Sequence, residues 1–221
     1  MAKVSIVGAG PGSEDYVTPI ARKTVQKADV VVGADRALIL FADSISGETV
    51  KLTAKTMNAA LKQTVELAKK GRSVAILSTG DPGYSGLLRT FSRIARGQDV
   101  EVEVVPGISS IQVCAARLGI PWDDTELFSF HEGATAKEKE NLFKAIENGR
   151  AVFLLPDAKD FSPSDIAKFL LKRGVDEKTE AFICENLTLN DEKVTRNTLL
   201  GIAKTAFGSL CVMVIKPSPQ Q

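Results

Sequence analysis

Apolar residues in this chain come in short, dense runs. Lys3-Val4-Ser5-Ile6-Val7, Ala28-Asp29-Val30-Val31-Val32-Gly33, Ser73-Val74-Ala75-Ile76-Leu77 and Ala151-Val152-Phe153-Leu154-Leu155 are each closed by glycine, proline or small polar residues. Such runs read as strands buried on both faces. Between them the apolar period changes to that of a helix, as with Leu61, Val65 and Ala68 in a helix over 58–70. Thr18 as N-cap and Pro19 at the first helical position start a helix over 19–27. Further helices are expected over 85–96 and 111–118. A weaker strand lies at 49–52, and the run 100–105 alternates, which suits an edge or half-exposed strand. Strand followed by helix, repeated along 1–112, predicts an α/β domain with a parallel, doubly wound sheet. The segment 113–123, ending in Gly119-Ile120-Pro121-Trp122-Asp123, reads as a linker. The pattern then restarts in a second α/β domain over 124–221. Its strands fall at 127–130, 151–155, 180–184, 192–196 and 210–215, and its helices at 136–148, 164–172 (capped by Ser162 or Ser164) and 198–206. The Asn190-Asp191 turn joins two of those strands antiparallel, so the second sheet should be mixed.

The chemistry gathers where strands end. Ser78-Thr79-Gly80-Asp81-Pro82-Gly83-Tyr84-Ser85-Gly86 follows one buried strand, Gly8-Ala9-Gly10-Pro11-Gly12-Ser13 follows another, and Pro106-Gly107-Ile108-Ser109-Ser110 opens a helix. Open α/β sheets bind ligands at this edge, and glycines let backbone approach a ligand closely. The loops carry few basic residues, so a bare polyphosphate is a poor fit. Backbone amides, serine hydroxyls and the Asp81 carboxylate suit a zwitterionic, nucleoside-like molecule in a cleft between the domains. Gly8-x-Gly10 after a strand also admits a dinucleotide reading. Against it, Ser13 stands where the third glycine belongs and Pro11 breaks the loop.

Composition narrows the classes. The 221 residues are 44% hydrophobic and 25% charged, with a net charge of +1, so no global field points to nucleic acid or an anionic membrane. No apolar run approaches the roughly 18 residues of a membrane span, and no signal peptide is legible, which makes the cytoplasm the expected location. Cys114, Cys184 and Cys211 are far apart in the sequence, without a C-x-x-C pair, and read as buried reduced thiols. With one histidine, His131, a His-rich metal site or proton relay is excluded, and no metal is expected.

Taken in order and spacing, Gly-Ala-Gly-Pro-Gly before a Thr-capped helix, Ala28-Asp29-Val30-Val31-Val32, Gly80-Asp81-Pro82 and Val105-Pro106-Gly107-Ile108-Ser109-Ser110 resemble the tetrapyrrole methylases, the class III methyltransferases that use S-adenosylmethionine. The resemblance covers nearly the whole chain. It implies two α/β domains with the cofactor folded between them, a homodimer, and S-adenosylhomocysteine as product. Residue by residue it implies cofactor contacts at Pro11, at Thr79, Gly80, Asp81 and Tyr84, at Ser109 and Ser110, and at Leu155 and Leu187. Ser129-Phe130-His131 followed by Gly133, and Gly33-Ala34-Asp35-Arg36, are similar to the branch that methylates carbon 5 of a corrin precursor, cobalt-precorrin-7, in cobalamin synthesis. Glu132, between His131 and Gly133, departs from the Ser-x-His-Gly element. Some relatives carry a second domain acting at carbon 15. The length of this chain suggests a stand-alone form, with a separate carbon-15 methyltransferase as a possible partner.

The implied reaction asks mainly for alignment of a ring carbon behind a reactive methyl group, with a weak base to take a proton. Candidates are His131, Asp35, Glu132 and Glu185, and His131 is the side chain whose ordinary pKa lies nearest neutrality. A macrocycle bearing carboxylates needs arginines, and Arg36, Arg89 and Arg117 are open to that role. Three other readings stand beside this one: methylation of another precorrin carbon, a non-catalytic nucleotide or cofactor sensor, and a nicotinamide-dependent reductase with Asp35 on the ribose.

Overall fold

The computed structural model describes residues 3–131 and 133–217. The chain divides into two compact units, 1–110 and 111–221.

In the first unit, strands β1 (Lys3–Gly8), β2 (Val30–Gly33), β3 (Glu48–Lys51), β4 (Val74–Ser78) and β5 (Glu101–Val105) form one sheet in the order β3-β2-β4-β1-β5. Every pairing is parallel, so all strand ends of one polarity share one edge. Helices α1 (Pro19–Gln26), α2 (Asp35–Leu40), α3 (Met57–Lys69) and α4 (Leu88–Ala95) connect them. The two faces bury separate cores. Ile6, Ile76, Leu61, Val65 and Phe91 fill one, and Val7, Leu77, Ala21, Val25 and Phe41 the other. Strand β1 illustrates the rule: Ile6 and Val7 point to opposite faces and both are fully buried. As the alternation predicts, β5 lies at the sheet edge.

Helix starts follow their caps. Thr18 Oγ1 accepts from Ala21 N–H at 3.2 Å, with Pro19 as the first helical residue. Helix α4 begins three residues later than its apolar pattern suggests, because Ser85 sits at φ +55° and cannot be helical. Helix α2, a short one after β2, has too few residues to show a period and is invisible to pattern reading.

In the second unit, β6 (Glu126–Ser129), β7 (Val152–Leu155), β8 (Glu180–Glu185), β9 (Lys193–Thr198) and β10 (Cys211–Lys216) run in the order β6-β7-β10-β8-β9. The β6–β7 pair is parallel and the others are antiparallel, so the sheet is mixed. Helices α5 (Ser110–Leu118), α6 (Ala136–Glu147), α7 (Pro163–Lys172) and α8 (Leu199–Ala203) accompany it. Capping boxes at Thr135 and Ser162 start α6 and α7. The core centres on Phe130, Leu142, Leu154, Ile166, Leu170, Ile183 and Met213.

The segment 113–123, read from the sequence as a linker, holds most of α5. That helix is tied into the second unit from its middle and its last turn. Cys114 Sγ lies 3.3 Å from Cys184 Sγ on β8, and Arg117 Nε donates to Glu192 Oε1 at 2.6 Å. The cysteines are thus distant in sequence but two of them touch. All three are free thiols, and burial pushes that of Cys211 up to about 12. Among the described residues, no helix is long and apolar enough to cross a membrane.

Candidate functional site at the strand ends

The order β4-β1-β5 makes the loops after those strands neighbours. Backbone bonds join the first two. Ala9 N–H donates to Ser78 O at 2.8 Å, and Gly10 and Gly80 exchange N–H···O bonds at 3.3 and 2.9 Å. The third closes over them through glycines. A Cβ on Gly8 would stand 2.4 Å from Gly107 N and 2.9 Å from Gly80 O, and one on Gly107 would stand 2.4 Å from Gly80 O. No side chain survives at such distances, so the three backbones stack directly. Gly10 and Gly80 also hold φ of +76° and +67°, where glycine is favoured.

The loop after β4 folds back on itself. Asp81 Oδ1 accepts from Gly83 N–H at 2.7 Å and its Oδ2 from Gly107 N–H at 3.0 Å. Ser78 Oγ accepts from Leu87 N–H at 3.1 Å. Pro11 is buried, Thr79 is exposed, and Gly80 and Tyr84 are half-buried. The Tyr84 hydroxyl itself is buried without a hydrogen-bond partner among the described residues, and burial pushes its pKa up to about 12. Ser109 is buried and Ser110 is the first residue of α5. Pro11, Thr79, Gly80, Asp81, Tyr84, Ser109 and Ser110, all singled out from the sequence, therefore share the carboxyl edge of one sheet.

Asp35 opens α2 at the same edge and pairs with Lys51 at the end of β3. Both side chains are more than half exposed, so the pair contributes only about 0–1 kcal/mol. Lys51 had no sequence signal, because nothing local announces that β2 and β3 are neighbours. Arg36 and Arg89 are exposed.

The second unit has its own strand-end group. Register pairs Ser129 with Leu155, so His131 and Asp157 each follow their strand end by the same interval. Phe130 N–H donates to Leu155 O at 2.9 Å. Asp157 Oδ1 accepts from Lys159 and Asp160 N–H at 2.7 and 2.9 Å. Those bonds, and the nearby imidazole, hold its carboxyl below the usual range. His131 lies at the surface, yet the protein crowding its ring holds its pKa below the ordinary histidine value, against the opposite pull of Asp157. Asp157 was not singled out from the sequence; only the parallel register of β6 and β7 brings it beside His131. Glu132 lies outside the described residues. Glu185, another sequence candidate for the base, holds backbone instead, accepting from Gly208 N–H at 2.7 Å.

Leu187 is buried between Asn186 (φ +51°) and Thr188 (φ +69°). A β-branched residue there is strained by roughly 1–3 kcal/mol. The strain is held by Glu192, whose Oε2 accepts from Thr188 N–H at 2.6 Å while Arg117 grips the same carboxylate. Arg117, a sequence candidate for substrate carboxylates, is thereby committed to an internal ion pair.

Comparison with known proteins gives a consistent picture. The family model of the Tetrapyrrole (Corrin/Porphyrin) Methylases matches residues 3–203. The chain is 37% identical over 212 residues to the "Probable cobalt-precorrin-7 C(5)-methyltransferase" of Methanocaldococcus jannaschii, covering 96% of each. It is 30% identical to the "S-adenosyl-L-methionine-dependent uroporphyrinogen III methyltransferase" of Methanosarcina barkeri, over 92% of this chain and 85% of that one. Among solved structures, a cobalt precorrin-4 methyltransferase superposes with a TM-score of 0.76 at 26% identity, covering 97% of this chain and 95% of that one.

The glycine stack makes a sharp stability prediction. Gly8→Ala should cost at least the roughly 1–3 kcal/mol of core overpacking, lowering the melting temperature by about 2–4 °C per kcal/mol. Thr79→Ala, an exposed change in the adjoining loop, should stay within about 0.5 kcal/mol of the parent. Thermal denaturation followed by circular dichroism measures both.

Proposed function

The chain belongs to the tetrapyrrole (corrin/porphyrin) methylase family, and from that premise we propose that it is an S-adenosylmethionine-dependent C-methyltransferase that methylates carbon 5 of cobalt-precorrin-7 in cobalamin synthesis. The observation that carries the choice of carbon is the 37% identity, over 96% of both chains, to a protein named for that reaction. The cofactor is supported by a relative named as dependent on S-adenosyl-L-methionine.

The residues of the first unit fit such a cofactor. The glycine stack clears side chains from the strand ends, and the Tyr84 hydroxyl is a buried donor without a hydrogen-bond partner among the described residues. Pro11, Thr79, Gly80, Tyr84, Ser109 and Ser110 are proposed to hold it, with Asp81 at the centre of the loops that present them. Leu155 and Leu187 of the second unit are proposed as further contacts. Leu155 O already accepts from Phe130 N–H, whereas among the described residues no backbone bond is found at Leu187.

S-adenosylmethionine supplies an electrophilic methyl group on a positively charged sulfur. The protein's residues then have two tasks. The first is to fix the macrocycle so that its nucleophilic carbon faces the methyl group, for which positioning alone is worth roughly 7–11 kcal/mol in good cases. Arg36 and Arg89, exposed at the surface, are proposed for the substrate carboxylates, and Arg117 is not. The second is to take up a proton. The crowding that lowers the pKa of His131 favours the neutral imidazole, and a neutral imidazole accepts a proton. The Asp157 carboxylate stabilises the imidazolium that results. Asp35, ion-paired with Lys51, is a second proposed substrate contact. We further propose that the enzyme works in the cytoplasm as a homodimer, with a separate carbon-15 methyltransferase acting on the same intermediates.

Calorimetric titration tests the cofactor. S-adenosylhomocysteine should bind in the micromolar range and NADPH should not; the reverse would favour the reductase reading. The base is tested by pH. A neutral imidazole is required, so kcat/KM should be full above the pKa of His131 and fall as pH drops through it. The pKa is lowered from 6.5, so that acid limb should lie below pH 6.5 and disappear in His131→Asn. An unchanged limb in the variant would remove His131 from the role.

A further inference from the structure

Asp81 stands in the middle of the proposed cofactor site, and the resemblance to other methylases implies that it contacts the cofactor. The geometry points to a different role: we propose that Asp81 is a positioning residue whose carboxylate clamps the loops after β4 and β5 together across the end of β1, and that it acts on the cofactor only through the backbone it holds. This rests on the methyltransferase reading of the site.

Strands β4 and β5 are not neighbours, since β1 lies between them. Two strand spacings, about 10 Å, separate the strands themselves, but the loops after them converge, a Cβ on Gly107 standing 2.4 Å from Gly80 O. The Asp81 carboxylate supplies a hydrogen-bonded link between the two loops. Asp81 does so with its two oxygens divided: Oδ1 takes Gly83 N–H at 2.7 Å, which folds its own loop, and Oδ2 takes Gly107 N–H at 3.0 Å, which lies 26 positions on in the β5 loop. The bridge passes over Gly8, where a Cβ would meet Gly107 N at 2.4 Å. The clamp and the missing side chain of Gly8 therefore require each other.

The same clamp positions the residues downstream of both loops. Gly107 leads within three residues into Ser110, the start of α5, and Gly83 leads into Tyr84. Releasing Oδ2 frees the β5 loop and with it Ser109 and Ser110. Releasing Oδ1 frees Tyr84. Hydrogen bonds from amides to a carboxylate are the stronger kind, so removing them loosens both loops at once. A direct contact would behave differently, because a carboxylate touching the cofactor would discriminate among ligands by their charge.

The experiment uses the full chain, Asp81→Asn and Asp81→Ala. Amide hydrogen exchange at Gly83 and Gly107 is followed by NMR without ligand, and affinity is measured for S-adenosylmethionine, S-adenosylhomocysteine and 5′-methylthioadenosine. The second ligand lacks the sulfonium charge and the third lacks the amino-acid group as well. Both amides should exchange faster in Asp81→Ala, by roughly tenfold or more. Asp81→Asn, which keeps one acceptor, should protect one of them and fall between Ala and the parent. Affinity should drop by a similar factor for all three ligands, roughly ten- to a hundredfold. If Asp81→Ala does not fold, the isosteric Asn variant carries the comparison. Wild-type exchange rates at Gly83 and Gly107 in the variants would overturn the clamp. So would a loss that is large for S-adenosylmethionine and absent for 5′-methylthioadenosine. A parent protein that binds none of the three would sink the methyltransferase reading, while the exchange rates would still decide the clamp.

Discussion

The first unit depends on a place where no side chain fits. At the ends of β4, β1 and β5 the backbones of Gly80, Gly8 and Gly107 approach so closely that a carbon added at Gly8 or Gly107 would stand 2.4–2.9 Å from its neighbours. Parallel strands bring such ends together automatically, but ordinary residues would splay them apart. Glycine keeps them in contact, and the Gly10–Gly80 bonds and the Asp81 carboxylate lock them. An edge lined by backbone results, and the small-residue loops are a consequence of that contact rather than a separate motif. It also explains the low charge of the site. A surface that binds through amides and hydroxyls needs few lysines, and a zwitterionic nucleoside suits it better than a polyphosphate.

The second unit solves its problem through side chains. Its strand-end loop 186–192 places Asn186 and Thr188 in left-handed conformations, and the Arg117–Glu192 pair supports it from α5. Strain of this kind persists only where surrounding bonds over-determine the backbone. Here a carboxylate receives both a guanidinium and the strained amide. A similar economy appears at β6 and β7, where parallel register sets Asp157 beside His131 and gives the imidazole a nearby negative charge.

Much of the fold was legible in the sequence because β1, β2, β4 and β7 are buried on both faces and so appear as dense apolar runs. The alternation of Val100 to Val105 marked an edge or half-exposed strand, and β5 is both, while Thr18-Pro19 marked a helix start to the residue. Helix α2 escaped because it is shorter than two turns. The start of α4 was misjudged because Ser85 adopts a positive φ that its residue type does not announce. For the site, glycine spacing identified the loops, since glycine reports directly on backbone approach. Partners that meet across strands were not legible: Lys51 beside Asp35, Asp157 beside His131 and Glu192 on Arg117 each depend on strand order or register, which no local pattern encodes. Arg117 shows the cost, since a lone arginine in sequence looks free until its partner is known.

The central claim is that this architecture delivers a methyl group to one particular carbon. It is tested most directly by supplying cobalt-precorrin-7 and S-adenosylmethionine carrying a carbon-13 methyl group, then locating the label in the product by NMR. The account predicts a single labelled methyl on carbon 5, formed catalytically. Label at another ring carbon, or no transfer by protein that demonstrably binds the cofactor, would contradict it.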